Sequence, residues 1–464
     1  MSETALPLLD LVSEHRLANG VRVFLCPMPG VRTVSCDVCV NTGSAFEGAD
    51  LGSGLSHFLE HMIFNGTKSY PGGSEIADRV NACGGSLNAY TCQDYTFYYI
   101  NLPAADAVEG VRMLASMIRE PLFPEDEFAR EKDVILNESR MRLDNPRLAV
   151  YENMLGELFR GSPYRVPIIG YDHMLESVTR EQMAAYHRRR YTPERMTFFI
   201  AGRFDADAVL AELRAKLEDW QTDSFDDTVP ARPFTRSGRH TAELTWKDSL
   251  AYLAFGWQLH DLTPKENAAL RVLAFLLDDD SGRVYRAMHI ENELISSSWA
   301  DYLMFQDGQG FFFTAFEGDP AKLDAMQAGF LDVLNSFKKH PVTKREIARA
   351  RAAVECEILS RFETPSGFAG LLSGAVRING SCDLQSMLRD LDAVTPDDVM
   401  TILRTMLSPD DVTCVRMAPE DDANTKKSAR RKAAPALPRP VVETAKSGQT
   451  MLLLEDPTRT MAEI

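Results

Sequence analysis

Two histidines and a glutamate in the sequence HFLEH (57–61) have the types and the spacing of a metal-dependent catalytic site. His57 and His61 are four residues apart, so on a helix both imidazoles leave one face about one turn from each other. This geometry suits a divalent metal, and neutral imidazole is a ligand that zinc accepts. Glu60 can reach a metal-bound water without binding the metal itself. The alternative is a pair of exposed or core histidines beside a solvated glutamate.

A third ligand is needed, because a catalytic zinc usually takes three protein ligands and leaves a fourth position open. Glu131 and Glu138 lie on the strongly helical segment 125–143 and are seven residues apart, so they project from one face of the helix. One of them would bind the metal and the other would hold a histidine from behind. Spacing alone leaves open that both are ordinary surface glutamates.

The histidine pair needs a helix to carry it, and the surrounding sequence predicts one. Apolar residues recur at helical spacing from Leu55 to Ile63. Ser53 is the expected N-cap of this helix, and Asn65-Gly66 is the expected stop.

Elsewhere, strand-like runs such as 21–25 and 196–201 are mixed with amphipathic helices such as 107–119. Cys36 and Cys39 form a C-x-x-C pair, but they lie in another strand-like run. Positions three apart on a strand point to opposite faces, which argues against a metal or redox pair.

The chain also contains a duplication. Segment 121–141 has a counterpart at 340–362, and segment 177–202 has one at 393–419, with nearly constant offsets of 216 to 219 residues. Two copies of one unit of helices and strands are therefore expected.

The domain organisation that follows has five parts. We expect a catalytic zinc-binding domain, a linker, a homologous domain without the zinc motif, a basic Pro-containing connector and a strand-like tail, at 1–221, 222–242, 243–419, 420–441 and 442–464.

Charge limits the partners of the chain. Fifty Lys and Arg against 67 Asp and Glu give a formal net charge of −17, so nucleic acid is not an expected partner, whereas a cationic peptide would be attracted.

No window reaches the ~18 consecutive apolar residues of a membrane span. The first residues resemble neither a secretory signal nor a transit peptide, and a cytoplasmic location is expected.

The HFLEH motif followed by Glu138 resembles the inverted zinc motif of the pitrilysin family of metallopeptidases (inverzincins). In that family the third ligand is a glutamate 77 residues after the second histidine, which is the position of Glu138 here. Glu131 falls at the place of the family's supporting glutamate. The likeness covers roughly residues 14–418 and includes GTKSYP after the motif. It is closest to the short branch of about 50 kDa that contains the catalytic subunit of mitochondrial processing peptidase and bacterial relatives.

The resemblance implies a zinc-dependent endopeptidase. One zinc ion would be bound by His57, His61 and Glu138, with Glu60 as general base and Glu131 as the supporting residue.

The resemblance also implies where the substrate lies and how the chain folds. The sequence GGSLNAYTCQDYTFYY (84–99) matches the family's substrate-binding edge strand, so Asn88 and Ala89 would bind a peptide by strand addition. The implied fold is α+β, with two homologous domains that each pack a mostly antiparallel sheet with helices, arranged as half of a clam-like chamber.

Two departures from the family pattern matter. The second copy has Arg271, Ala274 and Phe275 at the positions of the motif, so one zinc site per chain is expected. His289 and Ser296 stand where the family usually has an Arg/Tyr pair that positions the substrate carbonyl, and both are weaker donors to an oxyanion.

The chain therefore resembles the zinc-bearing half of a two-subunit enzyme. A homologous subunit in a heterodimer would supply the Arg/Tyr pair, and a homodimer is the other possibility. Two further functions stay open: a dedicated processor of one precursor peptide, and a non-catalytic core or scaffold subunit of a complex.

Overall fold

The computed structural model describes residues 8–142, 144–222, 230–233, 237–420, 441–444 and 450–453. Contacts divide the chain into two units, Met1–Pro419 and Glu420–Ile464. The first unit contains both copies of the duplicated sequence.

The first copy forms a six-stranded sheet with helices. Its strands are β1 (Ser13–Arg16), β2 (Arg22–Pro27), β3 (Thr33–Val40), β4 (Ser86–Thr91), β5 (Thr96–Pro103) and β6 (Met196–Gly202), in the order β1-β2-β6-β3-β5-β4. All neighbours pair antiparallel except β2 and β6. Its helices are α1 (Leu55–Ile63), α2 (Glu75–Ala82), α3 (Ala107–Arg119), α4 (Glu125–Arg142), α5 (Pro146–Leu158), α6 (Asp172–Leu175), α7 (Arg180–Arg190) and α8 (Ala206–Leu217).

The second copy repeats this arrangement. Its strands are β7 (His240–Trp246), β8 (Ala251–His260), β9 (Ser297–Met304), β10 (Gln309–Gly318) and β11 (Thr413–Pro419), in the order β7-β11-β8-β10-β9. The one parallel pair, β7 with β11, occupies the place of β2 with β6. Its helices are α9 (Pro264–Asp278), α10 (Arg283–Tyr285), α11 (Leu323–Lys339), α12 (Lys344–Ser360), α13 (Pro365–Asn379), α14 (Leu384–Asp392) and α15 (Pro396–Thr405), and a π-helical turn follows α10 at Arg286–Glu291.

The expected fold class is confirmed, since two homologous α+β domains each pack a mostly antiparallel sheet with helices. The domain boundaries stay predictions. Strand β7 begins at His240, inside the predicted linker, and 223–229 and 234–236 of that linker lie outside the described residues.

The predicted connector and tail fall mostly outside the described residues, which resume with a short hairpin. In the second unit, β12 (Val441–Thr444) pairs antiparallel with β13 (Thr450–Leu453). Across the described residues, no helix combines the length and the hydrophobicity that crossing a bilayer requires.

Helical and strand periodicity place the core of the first domain. Val111, Leu114 and Ile118 form the inner stripe of α3 and are fully buried, as their spacing predicts. Cys36 and Cys39 of β3 join different buried clusters, because neighbouring elements cover both faces of the sheet. This two-sided burial explains why the central strands are nearly continuous apolar runs.

One helix of each domain packs on the sheet of the other domain. Helix α5 packs on β8 and β11 of the second sheet, and α13 packs on β3 and β6 of the first. The approach of α5 is close: a Cβ on Gly256 would meet the sulfur of Met154 at 2.4 Å. Neither sheet is therefore covered by helices of its own domain alone.

A buried ion pair also links the two domains, just after the end of β4. Arg377 Nη1 of α13 lies 3.2 Å from Asp94 Oδ2, with side-chain exposures of 10% and 2%, and the guanidinium stacks 4.3 Å from the centroid of the Tyr95 ring. The same carboxylate oxygen accepts the Gln306 N–H at 2.8 Å. The second domain thus holds the loop that joins β4 to β5.

Asp37 is a buried carboxyl in the middle of β3. Ser35 Oγ lies 2.6 Å from Asp37 Oδ1 and 2.8 Å from Asn101 Oδ1. One hydroxyl has one proton, so both contacts are satisfied when Asp37 is protonated and donates to Ser35. Burial raises the pKa of Asp37 to about 8, in keeping with this protonated state.

This proton makes stability depend on pH. The folded state keeps it up to about pH 8, whereas the unfolded state loses it near pH 4, so the free energy of unfolding falls as pH rises between these values. Asp37→Asn has no proton to lose at this position. Its free energy of unfolding should therefore fall less steeply with pH than that of the wild type, by up to about 1.4 kcal/mol per pH unit. Urea unfolding from about pH 5 to about pH 8 measures this. The exposed Asp133→Asn is the control, and equal slopes for wild type and Asp37→Asn would contradict the assignment.

Candidate metal centre

The histidine pair lies on α1, whose first turn is fixed by glycine and glutamate. The N-cap is Gly54 at φ +68°, where a Cβ would lie 2.0 Å from the Ile169 carbonyl oxygen. The expectation that Ser53 caps α1 is therefore wrong. A free N–H of the first turn, that of Ser56, instead donates at 2.8 Å to the buried carboxylate of Glu47.

The end of α1 is as expected. The helix stops at Ile63, and the Asn65 side-chain amide donates to the His61 carbonyl at 3.2 Å. Gly66 follows at φ +94° and reverses the chain.

Three possible ligand atoms converge between α1 and α4. His57 Nε2 and His61 Nε2 lie 3.7 and 3.8 Å from Glu138 Oε2, and the three residues offer ligand atoms within 4.8 Å of one another. Tetrahedral ligands at about 2.0–2.2 Å from zinc are separated by roughly 3.3–3.6 Å. Small side-chain movements therefore suffice for these donors to bind zinc. Within the described ranges no second cluster of this kind occurs.

Aromatic packing sets the two helices in register. Phe58 and Phe128 are buried, and their ring centroids lie 4.6 Å apart. Phe58 is next to His57 on α1, and Phe128 precedes Glu138 on α4. This contact is part of the packing of α1 against α4, the two helices that carry the candidate ligands.

Burial keeps His57 neutral. Burial first, and then the charges of His61 and Arg142, lower the pKa of His57 to about 3. Its Nδ1 is also buried without a hydrogen-bond partner. A neutral imidazole with Nε2 directed at Glu138 is the form that binds a metal.

Glu131 lies behind the second histidine. Its Oε2 is 3.2 Å from His61 Nδ1. When Nδ1–H donates to this carboxylate, the lone pair of Nε2 is directed to the side of Glu138. Of the two candidate glutamates, Glu138 therefore lies in the ligand cluster and Glu131 contacts a histidine from outside it.

Glu60 is buried beside the cluster, and one of its oxygens is occupied. The Thr91 hydroxyl donates to Glu60 Oε2 at 2.6 Å. Burial raises the pKa of Glu60, with the Thr91 hydrogen bond acting in the opposite direction. A carboxylate with a raised pKa is a stronger proton acceptor than a solvated one.

Asn88 and Ala89 lie on β4, the outer strand of the first sheet. Asn88 is exposed, and its own Oδ1 accepts the Ala89 N–H at 2.8 Å. Because β4 has a neighbour on one side only, its other edge offers backbone groups to an added strand.

The second domain has no matching centre among its described residues. Arg271, Ala274 and Phe275 lie on α9 and provide none of the ligand types of the first copy. His289 donates from Nδ1 to the Ile295 carbonyl at 2.7 Å, and the Ser296 hydroxyl donates to the Glu317 carbonyl at 3.2 Å. Both side chains thus bind backbone of their own domain.

Two residues of the centre were missed by sequence reasoning. Thr91 could have been found, since it is two residues after Ala89 and so shares a strand face with it. Glu47 had no such signal, because it contacts the first turn of α1 from a loop.

The role of Glu131 can be tested through metal affinity. Glu131→Ala removes the acceptor for His61 Nδ1–H, and we expect zinc affinity to fall about 10- to 100-fold. Competition with a chromophoric chelator measures this. Glu131→Gln should lose less zinc affinity, because its amide oxygen still accepts the N–H of His61. Asp133→Ala, on the exposed side of α4, is the control. An unchanged affinity for Glu131→Ala would show that Glu131 does not support the site.

Comparisons with known proteins show the family of the chain. Residues 22–172 match the family described as "Insulinase (Peptidase family M16)", and residues 177–354 match the "Peptidase M16 inactive domain". An uncharacterized zinc protease of Mycobacterium tuberculosis is 29% identical over 399 residues, covering 84% of this chain and 90% of the relative. A Bacillus subtilis protein, also named an uncharacterized zinc protease, is 26% identical over 405 residues, covering 86% and 97%.

A solved structure shares the fold. A protease from Helicobacter pylori superposes with a TM-score of 0.80 at 23% identity, covering 88% of this chain and 99% of that one. With an insulinase-type domain followed by the family's inactive domain, the chain belongs to peptidase family M16.

Proposed function

We propose that the chain is a zinc-dependent endopeptidase that cuts peptides or unstructured segments and that it is the zinc-bearing half of a two-subunit enzyme. The observation that carries this proposal is the convergence of His57, His61 and Glu138, with the buried carboxylate of Glu60 beside them. The related zinc proteases add support.

His57, His61 and Glu138 would hold one zinc ion. When bound, zinc supplies Lewis acidity that polarises a carbonyl and lowers the pKa of a water ligand toward neutrality. Glu60 accepts the proton of the attacking water and later passes it to the leaving amine. The Thr91 hydrogen bond holds the Glu60 carboxylate in place through Oε2.

The substrate would bind as an added strand on β4. The Ala89 N–H lies on the outer edge, and the Asn88 side chain that now accepts from it would move aside and contact the peptide. Strand addition reads backbone rather than side chains, so broad peptide specificity is expected. The same binding would serve a processor of one precursor, which stays a possible specialisation.

The proposed partner is a homologous subunit. His289 and Ser296 are engaged with backbone of the second domain, so neither is free to replace an Arg/Tyr pair. A partner in a heterodimer would contribute that pair, and a homodimer is the alternative. A scaffold role is not favoured, because all four motif side chains are present. Full activity of the isolated monomer would contradict the two-subunit proposal.

Replacing the proposed base separates catalysis from metal binding. Glu60→Gln keeps the shape of the side chain but cannot accept a proton, so we expect peptide hydrolysis to fall by about 10²–10⁴-fold while zinc content is unchanged. Hydrolysis of a mixed peptide set, followed by mass spectrometry, and metal analysis of the same samples measure both. His61→Ala should lose zinc and activity together, and the exposed Glu125→Gln should keep both. A Glu60→Gln variant with normal activity would contradict the assigned role.

The contact of Thr91 with the base gives a second test. Thr91→Val removes the hydroxyl, and we expect kcat to fall about tenfold because a hydrogen bond to a charged group is lost. KM should change little, since the backbone of β4 is unaltered. Thr91→Ser should restore kcat. Equal losses for the Val and Ser variants would indicate a packing role instead.

A further inference from the structure

Arg142 places a guanidinium beside the metal centre. It is the last residue of α4 and lies four residues, about one turn, after Glu138. Side chains on a helix tilt toward its N-terminus, so a long side chain at this position covers the turn that carries Glu138. Arg142 also lies close enough to His57 for its charge to act on that imidazole. Arg142 therefore borders the cluster on the side of His57.

Most of the hydrogen-bonding capacity of this guanidinium is unused. Nη2 donates to Glu152 Oε1 of α5 at 2.7 Å, and both side chains are 26% exposed. Nε–H is buried and has no partner. Within the described part of the chain, the bond to Glu152 is the only hydrogen bond that the Arg142 side chain makes. An arginine fork can bind a carboxylate through two parallel N–H groups, and here only one group is engaged.

The carboxylates of the metal centre have partners other than Arg142. Glu60, Glu131 and Glu138 bring three carboxylates to the centre, and each has a hydrogen-bond donor or a possible metal as partner. Arg142 has one carboxylate partner, Glu152, in a pair whose side chains are each 26% exposed. Pairs of this kind are weak and exchange readily with a competing carboxylate.

We propose that Arg142 binds an acidic side chain of the peptide substrate close to the bond that is cut, and thereby gives the site a preference for Asp or Glu there. This inference rests on the proposed peptidase function. The substrate carboxylate binds Nη1, while Glu152 keeps or yields Nη2. Strand addition on β4 supplies affinity without regard to sequence, and Arg142 adds selectivity at one position.

A purely structural role for Arg142 predicts different behaviour. The Arg142–Glu152 pair links α4 to α5, and α5 packs on the second sheet. If the arginine only braces these helices, its loss would weaken binding of all peptides by the same factor. Glu152→Gln would then have the same effect as Arg142→Gln.

Peptide binding to a non-hydrolysing protein tests the inference. The zinc-loaded Glu60→Gln protein would be titrated with fluorescein-labelled peptides that differ only in one central Glu, Gln or Lys, and fluorescence anisotropy would give each Kd. We expect the Glu peptide to bind about tenfold more tightly than the Gln peptide, as a charge-assisted hydrogen bond allows. Adding Arg142→Gln should abolish this ratio, Arg142→Glu should reverse it in favour of Lys, and Glu152→Gln should preserve or increase it.

The outcomes separate this inference from the proposed function. The role of Arg142 is overturned if neither Arg142→Gln nor Arg142→Glu changes the ratio of Glu-peptide to Gln-peptide affinity. It is also overturned if no peptide of the series binds. Hydrolysis of the same peptides by the zinc-loaded chain with Glu60 intact reports the proposed function independently. Metal analysis and circular dichroism of each variant confirm that folding and zinc binding persist.

Discussion

The site depends on the register between two helices that are distant in sequence. Helix α1 carries both imidazoles and α4 carries the carboxylate, so a slip of one residue on either helix would turn a ligand away by about 100°. The tilted, closely packed rings of Phe58 and Phe128 oppose that slip, because a buried aromatic contact is dense and has few alternative arrangements. Apolar packing thus sets the positions of the polar groups, and the polar groups would then set the chemistry.

The duplication explains why a metal-free domain accompanies the site. The two sheets have corresponding strand orders and the same parallel pair, yet α9 has none of the ligands that α1 carries. The second domain nevertheless supplies α13 to cover the first sheet and Arg377 to hold the loop after β4. The second domain thus has none of these ligands on α9 but still makes contacts that position the first centre.

Much of the fold was predictable from the sequence. Periodicity located α1 and α3, and the repeated segments predicted two domains of one fold. The exchange of α5 and α13 was not predictable, because short-range patterns show which face of a helix is apolar but not which sheet it meets. The N-terminus of α1 was predicted wrongly, since a serine at Ser53 looks like a cap whereas the backbone contact that requires Gly54 comes from a distant loop.

For the site, residue types and spacing identified the candidate ligands. They did not predict the contacts around these ligands. Seven-residue spacing placed Glu131 and Glu138 on one face, and the family resemblance assigned their roles. The hydrogen bond from Thr91 and the carboxylate of Glu47 depend on tertiary packing and carry weak or no local signal. The roles of all these residues in catalysis stay predictions.

The exchanged helices also restrict how this protein can be divided. Separating the two copies at the linker would strip α13 from one sheet and α5 from the other, and would leave broad apolar surfaces facing water. Neither copy is therefore suited to exist as an autonomous module. A single copy with this packing could cover its sheet only by pairing with a second identical chain, so the duplication brings into one molecule an exchange of helices that would otherwise need two.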